Sequence, residues 1–214
     1  MVRPHILIKV VQRLRRKRRL KILEKRLVLI MKKISKENRG FSRVAVAQIS
    51  ATILGSIFWL VFAKIIHPIA YGRLAWLISI ATVLSTVCLI GLGKTVSTYY
   101  PKNGDIKLLK NSTFVVIFAG LLVGVSASLL IQSVVGIHVI GLSTFSIAFY
   151  SELAKREYGG YMWMWIGART GAVVIPLLIY YQWGTIAGIV GGIAAAYLIF
   201  GSWVLKQIPQ TIDL

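Results

Sequence analysis

One arginine, Arg169, stands inside a stretch that is otherwise apolar or small, MWMWIGARTGAVVIPLLIYY over 162–181. A charged side chain at membrane depth costs roughly 2.5–3.5 kcal/mol on insertion scales, so each one needs a reason. The planar fork of an arginine can pair with two oxygens at once, which suits a phosphate group. Two readings follow: Arg169 faces a central cavity and attracts an anionic substrate, or its long stem snorkels to the inner head groups. A second candidate feature lies upstream, where Gln48, Thr52, Gly55 and Ser56 recur at helical spacing as a narrow polar stripe. Such a stripe can line a hydrated cavity for sugar hydroxyls, or it can simply mediate helix contact. Ser79, Thr82, Ser85 and Thr86, and later Ser143, Thr144 and Ser146, form similar stripes.

Chemistry of other kinds finds no footing in the chain. The apolar stretches hold no acidic pair, no histidine cluster and no nucleophile–base pair, so the expectation is a non-enzyme without metal or cofactor. His67 and His138 fall on separate predicted turns, where solvent exposure is expected rather than metal binding. The single cysteine, Cys88, excludes an internal disulfide or a cysteine-based metal site. No Walker-type phosphate loop is present, which argues against direct ATP use. Lys64, Arg73 and Lys94 sit near the ends of apolar stretches and are expected to snorkel. Glu152 lies beside Lys155 and Arg156, a setting for a local ion pair.

The elements that must hold these residues are set by hydropathy. The 214 residues are 57% hydrophobic with a mean hydropathy of +0.74. Residues 44–204 form about six apolar stretches near 20 residues each, the length that crosses a hydrocarbon core of about 30 Å. The predicted spans are 44–66, 74–97, 113–132, 135–153, 162–181 and 185–204. Pro68 and Gly72 mark one break, and Pro101, Asn103 and Gly104 another. The run 113–150 reads nearly unbroken; at 38 residues it would extend about 57 Å, so it is divided near Gly136 and His138. The fold class expected is all-α: a polytopic membrane protein of about six helices, with a basic tail at 1–43 and a short tail at 205–214.

Charge orients the bundle. The formal net charge is +20, with 26 Lys and Arg against six acids. In a soluble protein this would suggest nucleic acid, but 16 of the 26 fall within residues 1–43, where anionic lipid head groups are the expected partner. In that tail Leu20, Leu23, Leu27, Ile30 and Ile34 recur at three-to-four spacing opposite Lys and Arg, an amphipathic pattern suited to the inner leaflet. The long basic region lacks the form of a cleavable signal, and Met31 followed by KKISKENRG reads as a more ordinary start. With the tail inside, the inner segments carry 22 basic residues and the outer turns none. Excess Lys and Arg on cytoplasmic loops therefore places both termini in the cytoplasm, in a cell membrane. Trp59, Trp76 and Trp183 then lie near the outer surface, with Tyr99, Tyr100, Tyr158 and Trp163 near the inner one.

Small-residue steps are expected to pack helices closely: Gly184, Gly188, Gly192 and Ala196 every fourth residue, and also Gly120 with Gly124 and Gly167 with Gly171. Pro176 is expected to kink its helix.

One segment has a more specific look. ATILGSIFWLVFAKIIHPIAYGRLAWLISIATVLSTVCLIGLGKTVSTYYPK (51–102) resembles the opening two helices of polysaccharide and lipid-linked oligosaccharide flippases, within the multidrug/oligosaccharidyl-lipid/polysaccharide exporter superfamily. The features carrying it are Lys64, Ile65, Ile66, Pro68, Tyr71 and Gly72 around the first turn, then Gly91, Leu92, Gly93 and Lys94. The basic loop KREYGGY (155–161) and the glycine-stepped last span are similar too. The resemblance implies one lobe of a MATE-like flippase that moves a lipid-linked glycan between leaflets by alternating access. In such proteins cationic residues facing the central cavity meet the diphosphate, and Arg169 is the matching candidate. Family members have 12 to 14 helices in two lobes, so the chain supplies about one. A homodimer or a separate second six-helix lobe would complete it; the other expectation is a truncated product. The alternatives are a cation-coupled drug exporter of the same superfamily and a non-transporting scaffold of a glycan-synthesis complex.

Overall fold

The computed structural model describes residues 40–207. The basic amphipathic tail, apart from its last few positions, and the end of the C-terminal tail lie outside the described residues. Among those described, the chain forms seven α-helices and no strand: α1 Gly40–Ile65, α2 Pro68–Leu89, α3 Leu92–Asn103, α4 Ile106–Leu130, α5 Ser133–Ala154, α6 Tyr158–Trp183 and α7 Ile186–Gln207. Five of them, α1, α2, α4, α5 and α6, are long and apolar enough to cross a membrane, and α7 adds a shorter apolar run, Ile186–Ser202. The described residues are thus all-helical, with apolar helices that fit a multi-pass membrane protein.

The connections are tighter than composition suggested. Pro68 does not hold the chain in a loop; it occupies the first turn of α2 directly after His67. Proline is preorganised for that position and loses no hydrogen bond there. The predicted span 74–97 is interrupted instead at Ile90 and Gly91, both left-handed with φ of 46° and 74°. A residue such as Ile90 adopts that conformation at a cost, and two in succession turn the chain sharply into α3. The predicted loop 98–112 contracts to Gly104 and Asp105. Gly104 caps α3 with φ 65°, and the Asp105 carboxylate accepts from the Lys107 amide at 2.9 Å to start α4. The helical hairpin predicted near Gly136 turns earlier, at Ile131 and Gln132.

α5 is the hub, touching α2, α3, α4, α6 and α7. Glycines let these backbones meet. A Cβ on Gly124 of α4 would lie 2.9 Å from the Gly136 carbonyl oxygen of α5, one on Gly141 2.9 Å from that of Ala194, and one on Gly201 3.0 Å from the Phe145 amide. A Cβ on Gly192 would lie 2.9 Å from the Pro176 backbone, so α7 lies against the point where α6 carries its proline, and the helix continues through it. Gly188 meets Ile179, whereas Gly184 meets nothing and instead caps α6 with φ 62°. The small-residue ladder expected to begin at Gly184 therefore makes its contacts from Gly188 onward.

The amphipathic α3 packs along one end of α5, where Val96 joins Val116, Ile147 and Ala154 in a small buried cluster. At the same end Glu152, 1% exposed, pairs with Lys155 at 3.7 Å. Its carboxylate also lies against Gly160 in the first turn of α6, where a helix N-terminus favours negative charge. The ion pair expected from sequence is present. Replacing Gly160 by Ala would set a Cβ 2.6 Å from the Glu152 Oε2. We expect that variant to lose about 1–3 kcal/mol of stability, read as a lower thermal midpoint in detergent.

Candidate functional site

Arg169 lies eleven residues into α6, about 16 Å along its axis and close to its middle. The predicted span began at 162 and placed it nearer the inner surface; the earlier helix start at Tyr158 deepens it. The side chain does not run along the helix to an end. It is half-buried and lines a cavity of about 280 Å³ between α1, α2, α5, α6 and α7. Its Nε is buried without a hydrogen-bond partner, and its guanidinium stands over the Trp165 ring at 4.9 Å. A cation over an indole face is stabilised by about 0.5–2 kcal/mol, depending on desolvation.

Trp165 is held in turn. It stacks on Phe145 at 5.6 Å and 12°, and meets Phe149 at 4.4 Å. Phe149 continues the ladder to Tyr161 at 4.4 Å. The Tyr161 hydroxyl accepts a hydrogen bond from the Gln48 amide at 3.0 Å, tying α1 to α6. Each ring pair adds about 0.5–1.5 kcal/mol beyond area burial. The platform under Arg169 is therefore rigid, and a rigid platform keeps a cation aimed at one place.

Two other residues with polar groups stand at the cavity, and sequence reading placed neither there. His138 was expected on an exposed outer turn; it is instead 0% exposed on α5, because the hairpin turns at Ile131 and the helix carries His138 inward. Its ring meets Tyr197 of α7 edge-on at 5.7 Å. Tyr197 itself is 5% exposed and packs on Phe145 at 5.2 Å. The one available signal was a tyrosine deep in the apolar run AAAYLIF, far from either interfacial belt. Thr82 completes the polar lining, with its hydroxyl donating back to the Ile78 carbonyl at 2.7 Å. Leu54, Phe58, Leu142, Val173 and Ile193 make the rest apolar.

Gln48, Thr52 and Ser56 do not join Arg169. All three are exposed, although Gln48 still reaches Tyr161. Thr52 and Ser56 each donate to the carbonyl four residues back, at 3.0 Å. Gly55 and Trp59 line the cavity in their place, since three residues' step turns a helix face by about 60°. Of that stripe, only Gly55 lines this cavity. Gln48→Leu, which removes only the bond to Tyr161, is expected to cost about 0.6 kcal/mol or somewhat more, a small fall in thermal midpoint.

Among the described residues no group of three His, Cys, Asp or Glu is placed to hold a metal ion, and Cys88 is buried and free. What the arrangement can do is bind: one fixed cation, one imidazole, one phenol and one hydroxyl set in apolar walls. No family model, no curated protein and no solved structure matches this chain.

Proposed function

We propose that this protein is one lobe of a membrane transporter that moves a lipid-linked saccharide or polysaccharide precursor across a cell membrane, holding the anionic phosphate linkage at Arg169. The observation that carries the reading is a guanidinium near mid-helix, in an interhelical cavity, with a buried nitrogen lacking a partner. Retaining such a charge costs a bundle stability unless an anion meets it. The positive lining with no acid on the cavity wall favours an anion over a cationic drug.

Six crossings, α1, α2 and α4 through α7, fit this reading, with α3 at the cytoplasmic end. Lys102, Lys107, Lys110, Lys155 and Arg156 then share the cytoplasmic side, and both termini lie there too. A second copy of the chain, or a separate six-helix lobe, would face this one across the substrate path, and anionic lipids would meet the basic tail.

The test is translocation. Purified protein is reconstituted into vesicles carrying a fluorescent prenyl-diphosphate sugar, and leaflet exchange is read by quenching from outside. Protein-dependent exchange is the expected result. Exchange no faster than in empty vesicles, from protein shown to be folded and inserted, would remove the transport reading and leave a scaffold.

A further inference from the structure

We infer that the cavity binds a phosphodiester head group on an apolar tail together with one proton, which His138 receives. The inference rests on the reading of Arg169 above and adds the energetic coupling that reading lacks.

A neutral histidine has one N–H and one lone pair. The ring faces the Val190 carbonyl of α7, which can take only the N–H. Neither ring nitrogen completes a hydrogen bond of good geometry, and the side chain is fully buried. One nitrogen therefore keeps a lone pair with no donor, at the wall of a cavity that also holds a guanidinium. No acidic side chain lines the cavity, so the protein itself supplies no counter-charge to a second cation there. An anion held at Arg169 reverses that balance, because it offers an imidazolium in the adjoining wall a counter-charge.

No other group at the cavity competes for the role. α6 presents the guanidinium of Arg169, and α7 presents Tyr197, which meets the His138 ring edge-on. α1 and α2 contribute no ionisable lining residue. α4, also packed on α5, carries its charged residues Lys107 and Lys110 in its first turns, at the opposite end from His138. The proton comes from bulk water, and no other bond forms or breaks. The apolar walls of Leu54, Phe58, Ile193 and Val173 supply the place for the tail.

The experiment uses the full chain in dodecyl maltoside and two probes with one head group: octyl methyl phosphate, with a tail, and dimethyl phosphate, without one. A diester avoids the second phosphate proton of a monoester, whose pKa of about 6 would confuse the count. Titration calorimetry in buffers of different ionisation enthalpy counts protons taken up on binding. Uptake approaching one proton per octyl methyl phosphate is expected, with affinity falling up to about tenfold per pH unit as pH rises. His138→Gln should bind with zero uptake and a flat pH profile. The tailed probe should bind at least about tenfold tighter than dimethyl phosphate. Binding without proton uptake in the wild-type chain would overturn the coupling while leaving the anion site standing. Equal affinity of the two probes would replace the lipid head group with a free phosphate. No binding of either probe would remove the anion site and the transport reading with it. The wild-type proton count needs no variant, so a misfolded His138→Gln does not blunt the test.

Discussion

Arg169→Gln is expected to lower translocation of the lipid-linked probe about 10- to 100-fold while the bundle stays folded and becomes no less stable. The two halves of that result are worth more together than either alone. A charge-assisted hydrogen bond to phosphate contributes about 1.5–3 kcal/mol, which sets the size of the loss. The wild-type guanidinium has a buried Nε with no partner, and its known support is the Trp165 ring. Taking away a cation held at a desolvation cost removes that cost, so the thermal midpoint should hold or rise. A residue serving only structure would show the reverse pairing, with stability falling alongside activity. Arg169→Lys keeps the charge but not the bidentate fork, and should recover only part of the rate. The measurement is vesicle exchange rate alongside a melt of the same preparations.

The second large effect concerns the contact that turns α4 back against α5. Gly136→Leu should abolish the folded bundle, read as loss of the monodisperse species after detergent extraction. A Cβ there would collide with the Gly124 backbone carbonyl, which has nowhere to go because it belongs to a helix. Overpacking against flexible side chains costs about 1–3 kcal/mol, and against backbone it costs more. Gly191→Leu is the control. It lies on α7, close in sequence to Gly192, yet its Cβ would meet nothing within 4 Å. That variant should extract and melt like the wild type. Two glycine-to-leucine changes of equal added volume thus separate interhelical contact from hydrophobicity as such.

How much of this was legible in the chain differs by feature. Helical class and apolar span length follow from hydropathy, because a lipid-crossing backbone must bond within its own segment. Boundaries were misplaced wherever a residue has two meanings. Pro68 breaks a helix or starts one, and here it starts α2; Asp105 suits a loop or a cap, and here it caps α4. The break at Ile90–Gly91 had only a Gly-Leu-Gly to announce it, and no periodicity rule puts an isoleucine at positive φ. Arg169 was conspicuous because charge in an apolar run is rare. His138 was visible too, but its meaning depended on where the hairpin turned, a difference of about five residues that moves it from surface to core. Tyr197 stands out as a tyrosine deep in an apolar run, but what it meets is set only by its partner helix. The stripe of Gln48, Thr52 and Ser56 shows the converse: perfect helical spacing places residues on one face without saying what that face meets.

The most direct measurement concerns the charge in the cavity itself. In a Cys88→Ser background, Thr82→Cys places a thiol at the wall shared with Arg169. Its reaction is timed with thiosulfonate reagents carrying a sulfonate or a quaternary ammonium, each rate normalised to a free thiol. The account predicts that the anionic reagent is favoured about fivefold or more, that Arg169→Gln erases the preference, and that octyl methyl phosphate protects the thiol. Equal normalised rates with Arg169 in place, or a thiol that the phosphodiester leaves unprotected, would contradict it.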